Sequence, residues 1–207
     1  MKRALALIFA EGFLDRVAAE KLVWSLGLRV DGSSTDAGGI DRFWKSIRKY
    51  NEAAKRCGPV LALADHDGVD CVGPKLSTKL KSRHPNLILR LSVAELEAWL
   101  LADAARLAAH LSVSPARFPA EPDKERDPKQ TLINLARSST KPAIRAAMVP
   151  KPGYTNTRGP EFTLVMEQFI RERWRPLEAE ARSPSLRRAI AAIRKATGNS
   201  STTRTPP

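Results

Sequence analysis

Two fully apolar runs dominate the hydrophobic pattern of this chain. Ala4–Ala10 reads ALALIFA, and Val60–Ala64 begins the longer stretch Val60–Asp67, which reads VLALADHD. Short runs without a polar break, bounded by residues that favour turns, are typical of strands buried on both faces of a parallel sheet. The pattern therefore predicts an α/β fold in which Val60–Asp67 is the central strand.

Two weaker segments extend this predicted sheet to about four strands. Leu28–Val30 reads as a short second strand, and Asn86–Val93, NLILRLSV, reads as the last one. The stretch Asp31–Gly39 is rich in glycine and serine, which favours a flexible loop. After residue 111 the strand patterns stop.

Helical periodicity separates the predicted strands. Apolar residues recur every three or four positions from Phe13 onward, and Gly27 is a natural residue to end that helix. Ile40–Ala54 carries a second apolar stripe. Glu95–Leu111 carries a third, and Trp99 lies on its buried face. Helices are therefore expected on both faces of the sheet.

The C-terminal half of the chain predicts helices alone. Asp127-Pro128 and Ser183-Pro184 each place a side-chain oxygen directly before a proline, which is typical of the first turn of a helix. We expect an α/β domain over residues 1–111, a helical extension over residues 112–197 packed on it, and a disordered polar tail over residues 198–207.

The first residues of the chain superficially match a secretory signal peptide. Met1-Lys2-Arg3 precedes the first apolar run, but that run is short and leads directly into Glu11 without a small-residue cleavage site. We interpret it as the first strand. No apolar stretch approaches the length of a membrane span, so we expect a cytoplasmic protein without a membrane partner.

Acidic residues stand where the two apolar strands end. Glu11 follows the first strand, and Asp65 and Asp67 end the central one. Ligands bind outside the carboxyl ends of such strands, and side-chain alternation places the two aspartates on one side with His66 turned away. Converging carboxylates repel one another, so a divalent cation is the natural partner. The alternative is that Asp65 caps a turn and Asp67-Gly68 forms it.

Two further acids are candidates for the same site. Asp15 lies four residues after Glu11, where it complements the dipole of the first helix and can face whatever Glu11 faces. Glu97 opens the helix after the last strand and is either an additional metal ligand or an ordinary first-turn acid. Since Glu11 must approach the central strand, the first and third strands should be neighbours, in the order 2-1-3-4.

The positive charge of the chain is unevenly distributed. The formal net charge is +13, and residues 137–207 hold 14 basic against 5 acidic residues. Such a surplus favours a polyanionic partner, most often nucleic acid, although a solubilising surface is the alternative. Candidate contacts with nucleic acid are Lys75 and Lys79 after the central strand, and Arg187 and Arg188 in the last helix.

Several stretches of the chain resemble a known family. FAEGFLD (Phe9–Asp15) and LADHDG (Leu63–Gly68) resemble the Toprim domain of primases, topoisomerases and overcoming-lysogenization-defect nucleases. LSVAELEAWLLAD (Leu91–Asp103), DPK (Asp127–Lys129) and SPSLRRA (Ser183–Ala189) look like one uncharacterised bacterial Toprim-like family. The first likeness covers the first half of the chain, and the second covers nearly all of it.

The resemblance implies roles for individual residues. Glu11 matches the Toprim glutamate, and Asp65 and Asp67 match the metal-binding aspartate pair. Asp15 occupies the position of a second acid in the nuclease branch. The resemblance identifies no catalytic lysine, and Lys129 is our own candidate for that role.

The resemblance also implies a Toprim-like fold and an activity. The leading hypothesis is phosphodiester hydrolysis on DNA or RNA with Mg²⁺ or Mn²⁺, in phage defence or DNA repair. The first alternative is a non-catalytic module that binds nucleic acid or a partner ATPase. The second is a phosphotransferase or phosphatase acting on small phosphates. The oligomeric state stays open.

Overall fold

The computed structural model describes residues 4–66, 80, 82–93, 96–151, 153, 155 and 157–198. Its strands are β1 (Ala4–Leu5), β2 (Leu7–Ala10), β3 (Arg29–Val30), β4 (Ser34–Asp36), β5 (Val60–His66) and β6 (Leu87–Val93). Its helices are α1 (Phe13–Ser25), α2 (Ile40–Cys57), α3 (Leu96–Leu101), α4 (Ala104–Leu111), α5 (Pro128–Arg137), α6 (Pro142–Met148), α7 (Phe162–Gln168), α8 (Pro176–Ala179) and α9 (Pro184–Ala196). Short 3₁₀ turns lie at Pro115–Arg117 and Pro122–Lys124, and a π-helical turn at Phe169–Arg173 follows α7.

The described strands form a parallel sheet in the order β4-β2-β5-β6, and β1 pairs with β3 beside it. β1 and β2 are two halves of the predicted first strand, interrupted at Ala6, whose N–H donates to the carbonyl of Pro59 at 2.7 Å. With the halves joined, the predicted order 2-1-3-4 is confirmed. The predicted class, a parallel sheet of four strands flanked by helices with a helical C-terminal part, is confirmed as well.

The loop predicted over Asp31–Gly39 was wrong in part. Ser34–Asp36 forms β4, which pairs with the last residues of β2. An edge strand is held by backbone hydrogen bonds along one side, so it needs no apolar run that a sequence pattern could reveal. Gly32 permits the approach, because a Cβ there would lie 2.7 Å from the carbonyl oxygen of Ala6.

The single helix predicted over Glu95–Leu111 was also wrong. Two helices, α3 and α4, meet at Ala102-Asp103. The Asp103 carboxylate accepts a hydrogen bond from the Arg175 N–H at 2.9 Å and pairs with Arg106 at 3.2 Å. The contact with Arg175, which is distant in sequence, holds the side chain at the break. The local pattern of apolar residues continues across this position and therefore does not indicate that the helix ends here.

Two apolar layers cover the sheet. On one face α2 packs its aromatic side chains on β2, β5 and β6, and the rings of Phe9 and Tyr50 stack at 4.1 Å between centroids. On the other face α1, α3 and the C-terminal helices pack over Ile8, Leu61 and Ile88. This second layer runs without a break from the first half of the chain into the helical extension.

Trp99 is the centre of the second layer. The residue is 0% exposed, as the sequence predicted, and its indole N–H donates to Ser185 Oγ at 2.7 Å. The predicted caps at Asp127 and Ser183 are also confirmed, since each side chain accepts a backbone N–H in the first turn of its helix. Of the described helices, none combines the length and the apolar character needed to cross a membrane.

Candidate functional site

Glu11 and Asp65 meet at the carboxyl end of the sheet. β2 and β5 are neighbours with Ala10 opposite Leu63, and the Glu11 N–H donates to the Leu63 carbonyl at 2.9 Å. The Glu11 side chain then crosses to the end of β5, where its Oε2 accepts the Asp65 N–H at 3.0 Å. Glu11 and Asp65 therefore lie at the same end of the sheet, and the convergence of three carboxylates stays a prediction. Asp67, the third acid of that prediction, lies outside the described residues.

The Asp65 carboxylate is tied to the next element of the chain. Its Oδ1 accepts the N–H of Leu96, the first residue of α3, at 2.8 Å. Backbone donors therefore fix one oxygen of Glu11 and one oxygen of Asp65, so the two carboxylates have defined positions at the edge of the sheet.

Asp15 lies close to Glu11 and Asp65, in the first turn of α1. The residue is 8% exposed, and its Oδ2 accepts the Gly12 N–H at 3.2 Å. Its Oδ1 is buried and has no hydrogen-bond partner among the described residues. A buried carboxylate oxygen without a donor costs free energy unless it is protonated or bound to a cation.

The surroundings of Asp15 disfavour its charged form. Burial raises the pKa of its carboxyl well above 3.8, and the negative charges of Asp65, Glu11 and Glu97 raise it further. The Gly12 N–H acts in the opposite direction, with a smaller effect. Asp15 is thus electrostatically coupled to all three other acids of the site.

Glu97 and Lys129 complete the group. The Glu97 side chain is buried at the start of α3, and Lys129 Nζ, in the first turn of α5, lies 3.7 Å from its Oε1. No spacing rule links these two residues in the sequence, so Lys129 was a candidate without geometric support. The structure places it beside the acids.

The donor chemistry of this site suits a hard divalent cation. Four carboxylates, from the ends of β2 and β5 and from α1 and α3, supply oxygen ligands alone, which Mg²⁺ and Mn²⁺ prefer. Within the described residues, no three His, Cys, Asp or Glu side chains are grouped so that they could hold a metal ion together, and Asp67 lies outside those residues.

The candidate basic contacts fall into three groups. Arg187 donates its guanidinium N–H groups to the carbonyls of Glu180, at 3.0 and 3.3 Å, and of Ala181, at 3.1 Å. It therefore holds the turn before α9. Arg188 is exposed on the same helix. Lys75 and Lys79 lie outside the described residues. The side chain of His66 is not described either, so the expectation that His66 is not a metal ligand stays a prediction.

Sequence reasoning missed Arg90. This residue lies half-buried inside β6, opposite Leu63 of β5 and two positions before the level of Asp65. The available signal was one charged residue inside the otherwise apolar stretch NLILRLSV.

Asp15→Asn should raise the thermal stability of the cation-free protein at neutral pH. Because the pKa of Asp15 is above 3.8 in the folded chain, the folded state retains a proton that the unfolded state loses. The free energy of unfolding therefore falls as the pH rises from 3.8 towards the folded pKa, and the substitution removes that loss. Each kcal/mol regained raises Tm by roughly 2–4 °C in a chain of this length.

The measurement is thermal unfolding with a chelator, from about pH 4 to pH 8. Asp41→Asn, at an exposed position in the first turn of α2, is the matched control and should not be more stable than wild type. Equal Tm values for Asp15→Asn and wild type across this range would show that the pKa of Asp15 is not raised in the folded chain.

No family model, no curated protein and no solved structure matches this chain.

Proposed function

We propose that the protein hydrolyses phosphodiester bonds of DNA or RNA with Mg²⁺ or Mn²⁺ held at the acidic site. The observation that carries the proposal is buried Asp15, whose Oδ1 has no described partner and whose carboxyl is coupled to Asp65, Glu11 and Glu97. A carboxyl group buried next to other acids is disfavoured in its charged form unless a cation binds it.

The acids at the ends of β2 and β5, together with Asp15, are the residues that would hold the ion. When bound, the ion would activate a water molecule and neutralise the charge that develops on the phosphate. Asp15 would give up its proton as the ion binds, since ligands must be deprotonated and its raised pKa keeps the proton available.

The other residues position these groups. The N–H groups of Asp65 and Leu96 hold the Glu11 and Asp65 carboxylates, which limits the rotation of both side chains. Lys129 orients Glu97 and brings a positive charge to the side of the site where phosphate oxygens would gather.

A non-catalytic module that binds nucleic acid or a partner ATPase is the second candidate. The observation in its favour is the net charge of +13, which attracts a polyanion whether or not the acidic site holds an ion. Such a module would bind nucleic acid with and without divalent cations and would leave it intact.

The test is cleavage of labelled single-stranded and duplex DNA and RNA by the purified full chain with Mg²⁺, with Mn²⁺ and with a chelator. The proposal expects cleavage with the divalent cations and none with the chelator. A small phosphomonoester in a parallel assay separates the phosphatase class, which would hydrolyse that ester and bind no nucleic acid. Binding without any cleavage under these conditions would favour the non-catalytic module.

A further inference from the structure

A groove runs along the edge of the sheet at β6. β6 is the last strand in the described sheet, and α9 packs beside it. The space between them is about 490 Å³. Its lining includes Arg83, Asn86, Ile88, Arg90, Ala192 and Lys195.

Arg90 is the most buried cation of this groove. Its Nη1 donates to the Leu89 carbonyl at 3.1 Å, whereas its Nε–H is buried and has no hydrogen-bond partner among the described residues. Burial lowers the pKa of the Arg90 guanidinium, and the positive charges of Arg83 and Arg188 lower it further. A buried donor surrounded by like charges is stabilised by an anion that accepts its hydrogen bond.

Two of the cations of α9 belong to the side of the helix that meets the groove: Lys195 lines the groove, and Arg188 lies beside it. Arg188, Ala192 and Lys195 are spaced by four and three residues, so they form one stripe of the helix. Within the described part of the chain, Arg83, Arg90, Arg188 and Lys195 take part in no ion pair. The groove is therefore lined by three cations, with Arg188 beside them, and no acid is among its described lining residues.

The groove and the acidic site share one face of the sheet. The register of β5 and β6 pairs Leu63 with Arg90 and Asp65 with Ser92. Ile88 and Leu63 both belong to the apolar layer under α1 and α9, so alternation places Arg90 and Asp65 on that same face. Two residues of a strand span roughly 7 Å, which is the offset between the two levels along the sheet.

We propose that this groove binds the phosphate backbone of a nucleic acid and leads the strand to the acidic site. The inference rests on the proposed function, because it assigns the binding surface for the substrate of that site. The contacts are with phosphates, so the groove holds the strand without reading its sequence.

An exposed strand edge can also pair with a strand of another protein or of a second copy. The net charge of the chain argues against a second copy as the occupant. A second copy of a chain with net charge +13 would bring further positive charge to a groove that already holds uncompensated cations. A polyanion supplies the charge that is missing.

The test is the affinity for a short labelled oligonucleotide, single-stranded and duplex, measured by fluorescence anisotropy with a chelator. Arg83→Gln with Lys195→Gln removes two cations that line the groove, and both side chains are exposed. Affinity should fall by at least roughly tenfold at about 50 mM salt, and the salt slope should decrease by up to about two units.

Arg137→Gln with Lys45→Gln is the matched control. It removes the same charge from exposed positions that do not line the groove, and its salt slope should stay that of wild type. Arg90→Gln, with its folding checked by thermal unfolding, should weaken binding as well. If the groove variant binds like wild type, or wild type binds no nucleic acid, the groove assignment is wrong. A loss of self-association without a change in nucleic-acid affinity would also overturn it.

Cleavage assays on the same proteins separate this inference from the proposed function. If the groove assignment and the nuclease proposal both hold, the groove variant has a raised KM and an unchanged kcat. Asp65→Asn then loses kcat and still binds the oligonucleotide. If no protein cleaves but the groove variant has lost affinity, the groove stands and the nuclease proposal fails. If cleavage depends on Asp65 while the groove variant binds and cleaves like wild type, the nuclease proposal stands and the groove fails.

Discussion

Asp65→Asn should lower cation-dependent cleavage by at least about 100-fold, because loss of residues that merely orient metal ligands already costs 10–100-fold. Asp65 interacts with three other residues at the site. Its N–H holds Glu11, its Oδ1 accepts the Leu96 N–H, and its charge acts on Asp15. An asparagine keeps the same shape and an Oδ1 acceptor for Leu96, so the change removes charge and leaves the local backbone contacts in place.

The fold of this variant is controlled in the same experiment. Asp65→Asn removes a negative charge that disfavours the charged form of buried Asp15, so its Tm without cation should equal or exceed that of wild type at neutral pH. Asp41→Asn, exposed in the first turn of α2, makes the same chemical change away from the site and should cleave like wild type. Full activity in Asp65→Asn would mean that the observed cleavage arises elsewhere.

Trp99→Ala should destabilise the protein by about 3–5 kcal/mol, as large-to-small changes of buried aromatic residues do. Trp99 is 0% exposed between the sheet and the helical extension. Its indole N–H donates to Ser185 Oγ at 2.7 Å, and the Ser185 N–H donates to Asp123 Oδ2 at 2.8 Å. The substitution leaves a cavity and removes the donor that joins α3 to α9.

Chemical and thermal unfolding measure this effect. At roughly 2–4 °C per kcal/mol, Tm should fall by about 6–20 °C. Trp24→Ala is the matched control, because Trp24 is 70% exposed and its loss should change stability by less than about 0.5 kcal/mol. Equal destabilisation by the two substitutions would contradict the packing of the extension over Trp99.

The sequence predicted the strands whose burial is visible in their own residues. The run at Val60 and the stretch NLILRLSV are apolar because both faces of β5 and β6 are covered by helices. β4 was missed because an edge strand depends on backbone hydrogen bonds to β2 and not on apolar side chains. The break at Asp103 was missed because Arg175, distant in sequence, holds its carboxylate.

The residues of the candidate site also fall into two groups, those that a local sequence pattern predicts and those whose contacts depend on how distant elements pack. Glu11 and Asp65 were predictable because parallel strands end at one edge of a sheet, and Asp15 followed from helical spacing after Glu11. The contact of Lys129 with Glu97 depends on how α5 packs against α3, which no local pattern encodes. Arg90 was hidden in the same way, because its groove exists only once α9 lies beside β6.

The central claim is that the acidic site binds a divalent cation, and calorimetric titration of the chelator-free full chain with Mn²⁺ tests it most directly. The account predicts saturable binding by wild type, a Tm that rises with the ion, and affinity at least about tenfold weaker in Asp65→Asn and unchanged in Asp41→Asn. Absence of saturable binding by wild type, or equal affinity in Asp65→Asn, would contradict it.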